Sequence, residues 1–342
     1  MADLGQTAPR GVVVVGPSWV GDMMLAQGLF RQLKQQDADE PIDVVAPPWS
    51  LGLLRFMPEI RRVHPLEVAH GEAGLRKRWQ LGQQLAGEHY RRAIVLPRSF
   101  KSAIPPWVAA IPQRSGFLGE ARLGLLNDWR LLDAKRLPRT IDRFVALALP
   151  SAHPLPSPLP QPRLQVERDL AESVAQRFGI ALRADSPLLA LCPGAEYGPA
   201  KQWPTDHWIT FGRLAVERGL QPLIFGSAKE EPLGRDIATG IGLPAVNLAG
   251  TTTLDEAVCL LSLAHCTVSN DSGLMHVAAA LPGRVIALFG SSDPRHTPPL
   301  SDNAVILWRQ LPCSPCFKRR CPEQHLRCLR EITPEQVMEQ AP

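Results

Sequence analysis

The sequence predicts an α/β fold made of two similar halves, each a parallel sheet with helices on both faces. Three observations predict it. Short, continuously apolar, β-branched runs alternate with helix-period segments in both halves. A proline-rich stretch interrupts that alternation near the middle. The length, 342 residues, exceeds one ordinary core and suggests roughly two domains of about 150 residues each.

Taken in order, "GVVVV" (11–15) is a strand buried on both faces, because no polar residue breaks its β-branched run. "MMLAQGLFRQLKQQ" (23–36) places Met23, Met24, Leu25, Leu29, Phe30 and Leu33 at helical spacing. "IDVVAP" (42–47) is the next strand, a helix follows near 51–56, and "VHPL" (63–66) reads as an edge strand. "RWQLGQQLAGE" (78–88) is helical, "RAIVLP" (92–97) a strand, and "SFKSAIPPWVAA" a proline-interrupted helix. Six prolines between 150 and 162 then exclude sheet and helix and make a stiff, extended linker. The expected division is a domain over 1–150, the linker over 151–163 and a second domain over 164–342.

The second half repeats the rhythm. Strands are expected at 188–193, 221–226, 245–250, 267–270 and 284–290, and helices at 205–219, 253–266 and 271–281. Two such halves set strand carboxyl ends around a cleft, where open α/β sheets bind ligands.

Charge sharpens this. Residues 1–150 hold 20 Lys and Arg against 14 Asp and Glu, a balance of +6, whereas the rest hold 17 against 19. A basic first half suits an anionic ligand or surface, or is simply a solvated face. Nucleic acid is not favoured, because no reader motif or aromatic-rich basic stripe appears. No apolar run nears the length that spans a bilayer, and "MADLGQTAPRG" lacks the pattern of a secretory leader. A cytoplasmic location is expected.

Three loops of the second half fall at strand carboxyl ends: "CPGAEYGPAKQWP" (192–204), "FGSAKEE" (225–231) and "NDSGLMH" (270–276). Small residues open the helix of the third, so free N–H groups near Ser272 and Gly273 could cradle a phosphate. Asp271 could cap that helix, and His276 could be a packing residue. Lys201 could neutralise a phosphate or merely sit exposed. None of the loops is a Walker A or GxGxxG fingerprint. In the first half, Asp22 lies where strand hands over to helix; its plain role is at the positive helix end, its sharper one a general base.

"GPSWVGDMM", "SFKSA", "GLLND", "CPGAEYGPAKQWP", "FGSAKE", "NDSGLMHVAAAL" and "CSPCFKRRCP" occur in this order across almost the whole chain. In these motifs the sequence resembles the ADP-heptose:lipopolysaccharide heptosyltransferases of glycosyltransferase family 9. One departure is Arg98, where the family pattern has Asn. The resemblance implies a GT-B glycosyltransferase: two Rossmann-like domains facing across a cleft. It implies an ADP-L-glycero-D-manno-heptose donor on the carboxy-terminal domain, a heptosyl-Kdo2-lipid A acceptor on the amino-terminal one, and transfer with inversion. Asp22 is then the base. Ser18, Gly194, Ala195, Glu196, Lys201, Glu230, Asp271, Ser272, Gly273, Leu274 and His276 are the residues expected around the donor. Asp271 would hold heptose hydroxyls and Glu230 the adenosine. Arg98, Lys101, Arg114 and Arg122, with Arg76, Lys77 and Arg78 as a wider pool, are expected near the anionic acceptor. No cofactor and no catalytic metal are required, since no DxD-type acid pair ends a strand. A monomer with peripheral contact to the inner membrane is the expected state. The rivals are a family member adding a different core heptose, a GT-B-like nucleotide-sugar epimerase, and a non-catalytic nucleotide-binding protein.

Seven cysteines remain. Cys192, Cys259 and Cys266 read as small buried hydrophobes. Cys313, Cys316, Cys321 and Cys328 could pack a loop as thiols, hold a structural metal or pair as disulfides.

Overall fold

A computed structural model describes residues 11–68 and 72–342; most of the amino-terminal stretch read above for a leader lies outside them. The chain divides into two compact units, Met1–Pro162 and Arg163–Pro342. The strands of unit 1 are β1 (Val12–Val15), β2 (Ile42–Ala46), β3 (Arg62–Pro65), β4 (Arg92–Val95), β5 (Gln113–Phe117) and β6 (Asp128–Arg130). Its helices are α1 (Val20–Gln36), α2 (Leu51–Leu54), α3 (Leu75–Ala86), α4 (Ile104–Val108) and α5 (Thr140–Ala148). Unit 2 holds β7 (Leu188–Cys192), β8 (Gln221–Ile224), β9 (Val246–Asn247), β10 (Cys266–Asn270), β11 (Arg284–Phe289) and β12 (Ala304–Trp308). Its helices are α6 (Arg168–Arg177), α7 (Thr205–Glu217), α8 (Glu231–Ile241), α9 (Leu254–Leu263), α10 (Gly273–Ala279), α11 (Arg327–Arg330) and α12 (Pro334–Met338).

Each unit has one six-stranded sheet, in the orders β3-β2-β1-β4-β5-β6 and β12-β11-β10-β7-β8-β9. Every strand pairing is parallel, and numbered within its own unit each sheet reads 3-2-1-4-5-6. The order reverses between β1 and β4 in unit 1 and between β7 and β10 in unit 2. Loops leaving the carboxyl ends of those strands therefore flank a crevice where ligands of such sheets bind.

At each switch point one abutting strand, β1 or β7, is a continuous apolar run, whereas β10, "CTVSN", is not. Val12–Val15 and Leu188–Cys192 are fully buried. In unit 1, α3 and α4 cover one face through Leu81, Leu85 and Ile104 packed over Val13, Val15 and Val95. In unit 2, Trp203, Trp208 and Phe211 pack over Leu189, Leu191 and Val268. The proline-rich stretch forms neither strand nor helix, with a turn at 151–152 and a bend at 157–158, and its far end lies along unit 1: the Arg31 guanidinium donates to the Gln161 carbonyl at 2.9 Å. No described helix is long and apolar enough to cross a membrane.

Candidate functional site

In unit 2 the predicted loops converge. Lys201 follows β7 on a short 3-10 turn, Pro199–Lys201. Its Nζ lies 2.5 Å from Asp271 Oδ2, at the end of β10. The Ser292 hydroxyl, beyond β11, donates to the same carboxylate oxygen. Lys201 is therefore not the exposed lysine that its loop allowed. The helix cap is also corrected: Ser272, not Asp271, occupies the N-cap of α10, and the Asp271 carboxylate is spent on Lys201 and Ser292. Gly273 and Leu274 form the first turn of α10, whose leading N–H groups have no partner within the helix.

His276 sits buried one turn along. Burial pushes its imidazole down from 6.5 to about 4; nearby Asp271 opposes this and Lys201 adds to it. Near neutral pH the ring is uncharged, so it offers a hydrogen bond but no positive charge.

The loop after β8 joins the loop after β7 at two points. A Cβ on Gly194 would lie 2.0 Å from Glu230 Oε1, so only glycine lets that carboxylate approach the backbone. Glu196 Oε1 is 3.0 Å from Lys229 Nζ. Glu230 also accepts from the Ser227 N–H and hydroxyl at 2.8 and 2.9 Å, leaving its other oxygen toward Gly194. Ala195 is buried beside it. Sequence reasoning missed several contributors. Asn270 accepts from the Trp203 N–H at 3.1 Å and donates to the Pro193 carbonyl at 2.6 Å, fixing the β7 loop to the β10 loop. Tyr197 lies under Lys201 Nζ and the Arg319 guanidinium, 5.0 and 5.4 Å from its ring centroid. Tyr197 and Asn270 lie inside the quoted motifs; Ser292, in "GSSDP", carried no signal beyond its place after a strand.

In unit 1, Trp19 is the N-cap of α1, and Asp22 stands in the first helical turn with its side chain half-buried. Ser18 is exposed on the loop after β1. Across the switch point, β4 leads to Arg98 and Lys101, whose Nζ donates to the Glu72 carbonyl at 2.8 Å. Arg98 is exposed and donates to the Leu118 carbonyl at 3.2 Å.

Arg122, Arg114 and Arg78 make hydrogen bonds within the chain, and the burial of Arg122 corrects its expected acceptor contact. Arg122 is wholly buried and donates to the carbonyls of Pro97 and Phe117, both at 2.6 Å, and to Ser99 and Ser102. Arg114 is committed to the Ile111 and Leu125 carbonyls at 2.6 and 2.7 Å. Arg78 is buried with its Nε on the Ala73 carbonyl. Arg122, wholly buried, is not presented to a soluble anion, although its Nε has no hydrogen-bond partner. Arg76, Lys77, Arg98 and Lys101 remain at the surface.

A groove of about 740 Å³ lined by Arg183, His265 and Arg284 opens at the amino ends of β7, β10 and β11. It lies away from all these loops, at the end where parallel sheets do not place their ligands. All seven cysteines are free, with Cys192, Cys259 and Cys266 buried. Cys313, Cys316, Cys321 and Cys328 line one small cavity; among the described residues no group of three or more His, Cys, Asp or Glu is arranged to hold a metal ion.

Residues 78–327 match the family described as Glycosyltransferase family 9 (heptosyltransferase). The chain is 41% identical to lipopolysaccharide heptosyltransferase 2 of Escherichia coli (strain K12) over 338 residues, covering 96% of this chain and 97% of that one. It is 42% identical to the lipopolysaccharide heptosyltransferase 2 of Salmonella typhimurium, with the same coverage. The solved E. coli ADP-heptose lps heptosyltransferase II superposes with a TM-score of 0.86 at 40% identity, over 96% and 97% of the two chains.

Proposed function

The chain belongs to glycosyltransferase family 9, the heptosyltransferases, and from that premise we propose that it moves heptose from ADP-heptose onto the inner core of lipopolysaccharide, as the second heptose of that core. It is a GT-B glycosyltransferase. The observation that carries the reading is the near-full-length identity to lipopolysaccharide heptosyltransferase 2, and the motif residues cluster at the switch point of each sheet in keeping with it.

The proposed reaction is a single displacement. The acceptor hydroxyl attacks the anomeric carbon, the bond to the β-phosphate oxygen breaks with its electron pair, and the proton passes to Asp22. Support for that base is its position in the first turn after β1, where the helix end favours the carboxylate. A base in this role is worth about 10²–10⁴-fold. The departing ADP gains charge, and Lys201 is the candidate to receive it. Its ammonium has three donors and one is directed at Asp271, so two remain. Asp271 offsets part of that charge but also holds the ammonium at the β7–β10 switch point, which is preorganisation. We assign the donor to unit 2 and the acceptor to unit 1, with Arg98 and Lys101 as the acceptor cations.

The test is mass spectrometry of heptose transfer to Kdo2-lipid A acceptors that already carry zero, one or two heptoses. Product only from the one-heptose acceptor is expected. Product from the heptose-free acceptor alone would reassign the chain to another step.

A further inference from the structure

Between β12 and α11 the chain makes neither strand nor helix, yet part of it is fixed against the proposed donor loops. The Phe317 N–H donates to the Ser291 carbonyl at 2.7 Å, in the loop after β11. The Phe317 carbonyl accepts from the Tyr197 hydroxyl at 2.8 Å, in the loop after β7. Two residues on, the Arg319 carbonyl accepts from the Ala200 N–H at 3.1 Å. Gly198 makes room for it, since a Cβ there would lie 2.6 Å from that carbonyl oxygen. Phe317 takes a left-handed backbone, φ 54°, which a bulky residue adopts only where its surroundings impose it. These contacts impose it, so Phe317 and Arg319 are held in register with the loops that carry Lys201 and Ser292.

That register sets a second cation beside Lys201. The Arg319 guanidinium carbon lies 5.4 Å from the centre of the Tyr197 ring, and Lys201 Nζ lies 5.0 Å from the same centre. The two charges differ in their partners. Lys201 faces Asp271. The Arg319 side chain is exposed and, among the described residues, makes no hydrogen bond or ion pair; the ring is its contact. Glu196, the carboxylate next to Tyr197 in the chain, is paired with Lys229. Like charges gathered on one ring repel, and an anion bound by both relieves that.

We propose that Arg319 binds the diphosphate of the nucleotide together with Lys201. The inference rests on the donor assignment made above and adds to it a residue from a further loop, the one after β12. Asp271 offsets part of the Lys201 charge, so one lysine falls short of the charge on a diphosphate. A guanidinium supplies the rest in a planar fork that meets two phosphate oxygens at once. Stacking on Tyr197 sets the plane of that fork before the ligand arrives, which lowers the cost of ordering it.

The test is calorimetry of ADP and adenosine with the full chain. Arg319→Met should weaken ADP about tenfold or more, because a charge-assisted hydrogen bond to phosphate is lost, and should leave adenosine unchanged. Arg319→Lys, which keeps the charge without the fork, should fall between parent and Arg319→Met. Arg320→Met removes an equal charge one residue away and should bind ADP as the parent does. These side chains are exposed and each substitution keeps the backbone carbonyl that braces the loop, so a bracing role alone would leave ADP affinity unmoved; circular dichroism checks each fold. Parental ADP affinity in folded Arg319→Met would overturn the proposal, and so would an equal loss for adenosine or in Arg320→Met. If Lys201→Met still weakens ADP in that case, the donor assignment stands without Arg319. A parent chain that binds no ADP would overturn both.

Discussion

Lys201 has two tasks, and they make opposite demands. Its ammonium offsets the buried Asp271 carboxylate at 2.5 Å, yet it is proposed to receive the charge of departing ADP. Lys201→Met should therefore weaken ADP in calorimetry and also destabilise the fold, by about 3 kcal/mol, because a buried carboxylate loses its counter-charge. Lys201→Met/Asp271→Asn removes both charges, so it should recover most of the urea midpoint while ADP binding stays weak. ADP affinity unchanged in the single variant would leave the pair purely structural. Asp22 makes a cleaner case. Asp22→Asn should lower kcat by about 10²–10⁴-fold with ADP affinity intact, and near-normal turnover would remove it from the mechanism. At this scale the sequence exposed residue types and loops, but not pairings. Nothing in "GPAKQWP" says that its lysine meets the aspartate of "NDSG" 70 positions later; that partnership exists only because β7 and β10 are neighbours.

Arg122 shows what an element requires to present a site. The loop after β4 carries Arg98 and Lys101, and Arg122 ties its start, through Pro97, Ser99 and Ser102, to the end of β5 at Phe117. Burial pushes its guanidinium down to about 10, the neighbouring Arg98 acts in the same direction, and it remains charged at neutral pH. Arg122→Met would strand those carbonyls, costing about 3 kcal/mol, and should raise acceptor KM with ADP affinity unchanged. Arg122→Lys should not rescue it, because an ammonium lacks the planar fork that spans two carbonyls. Urea midpoint and acceptor KM both at parental values would refute this role. From sequence alone the same arginine looked like an acceptor contact, since charge is legible and burial is not. The elements divide similarly. β1 and β7 were legible because burial on both faces leaves only apolar residues, and β4 and β11 because they stay apolar after an opening arginine. β5, "QRSGF", and β6, "DWR", were not, because their strand character comes from a paired neighbour. Helix α1 begins at Val20, earlier than the apolar period at Met23, because Gly21 and Asp22 mimic a loop.

Across the whole molecule, acid should act on the two units at different pH. In unit 2, His276 is held at about 4 against 6.5 for a free ring, because it is buried. The unfolded chain therefore binds more protons between those values. The stability that goes with the neutral ring is complete above about 6.5 and is lost as pH falls toward 4, at up to about 1.4 kcal/mol per pH unit. In unit 1 the buried carboxylate of Asp43 behaves otherwise. Burial pushes it up, but hydrogen bonds with His64, Arg61 and Tyr90 overrule that and hold it well below the ordinary range. Its contribution is complete above about 4 and is lost only as pH falls further. Between pH 7 and 5, then, His276 weakens unit 2 while Asp43 leaves unit 1 untouched. A thermal scan of the full chain should show a lower melting temperature at pH 5 than at pH 7, and His276→Gln should remove most of that difference while Asp43→Asn keeps it. An equal drop in the parent and His276→Gln would place the acid sensitivity elsewhere. Because His276 packs one turn from Asp271 and Ser272, the same loss should loosen the proposed donor loops first, so ADP affinity should fall over this window ahead of global unfolding.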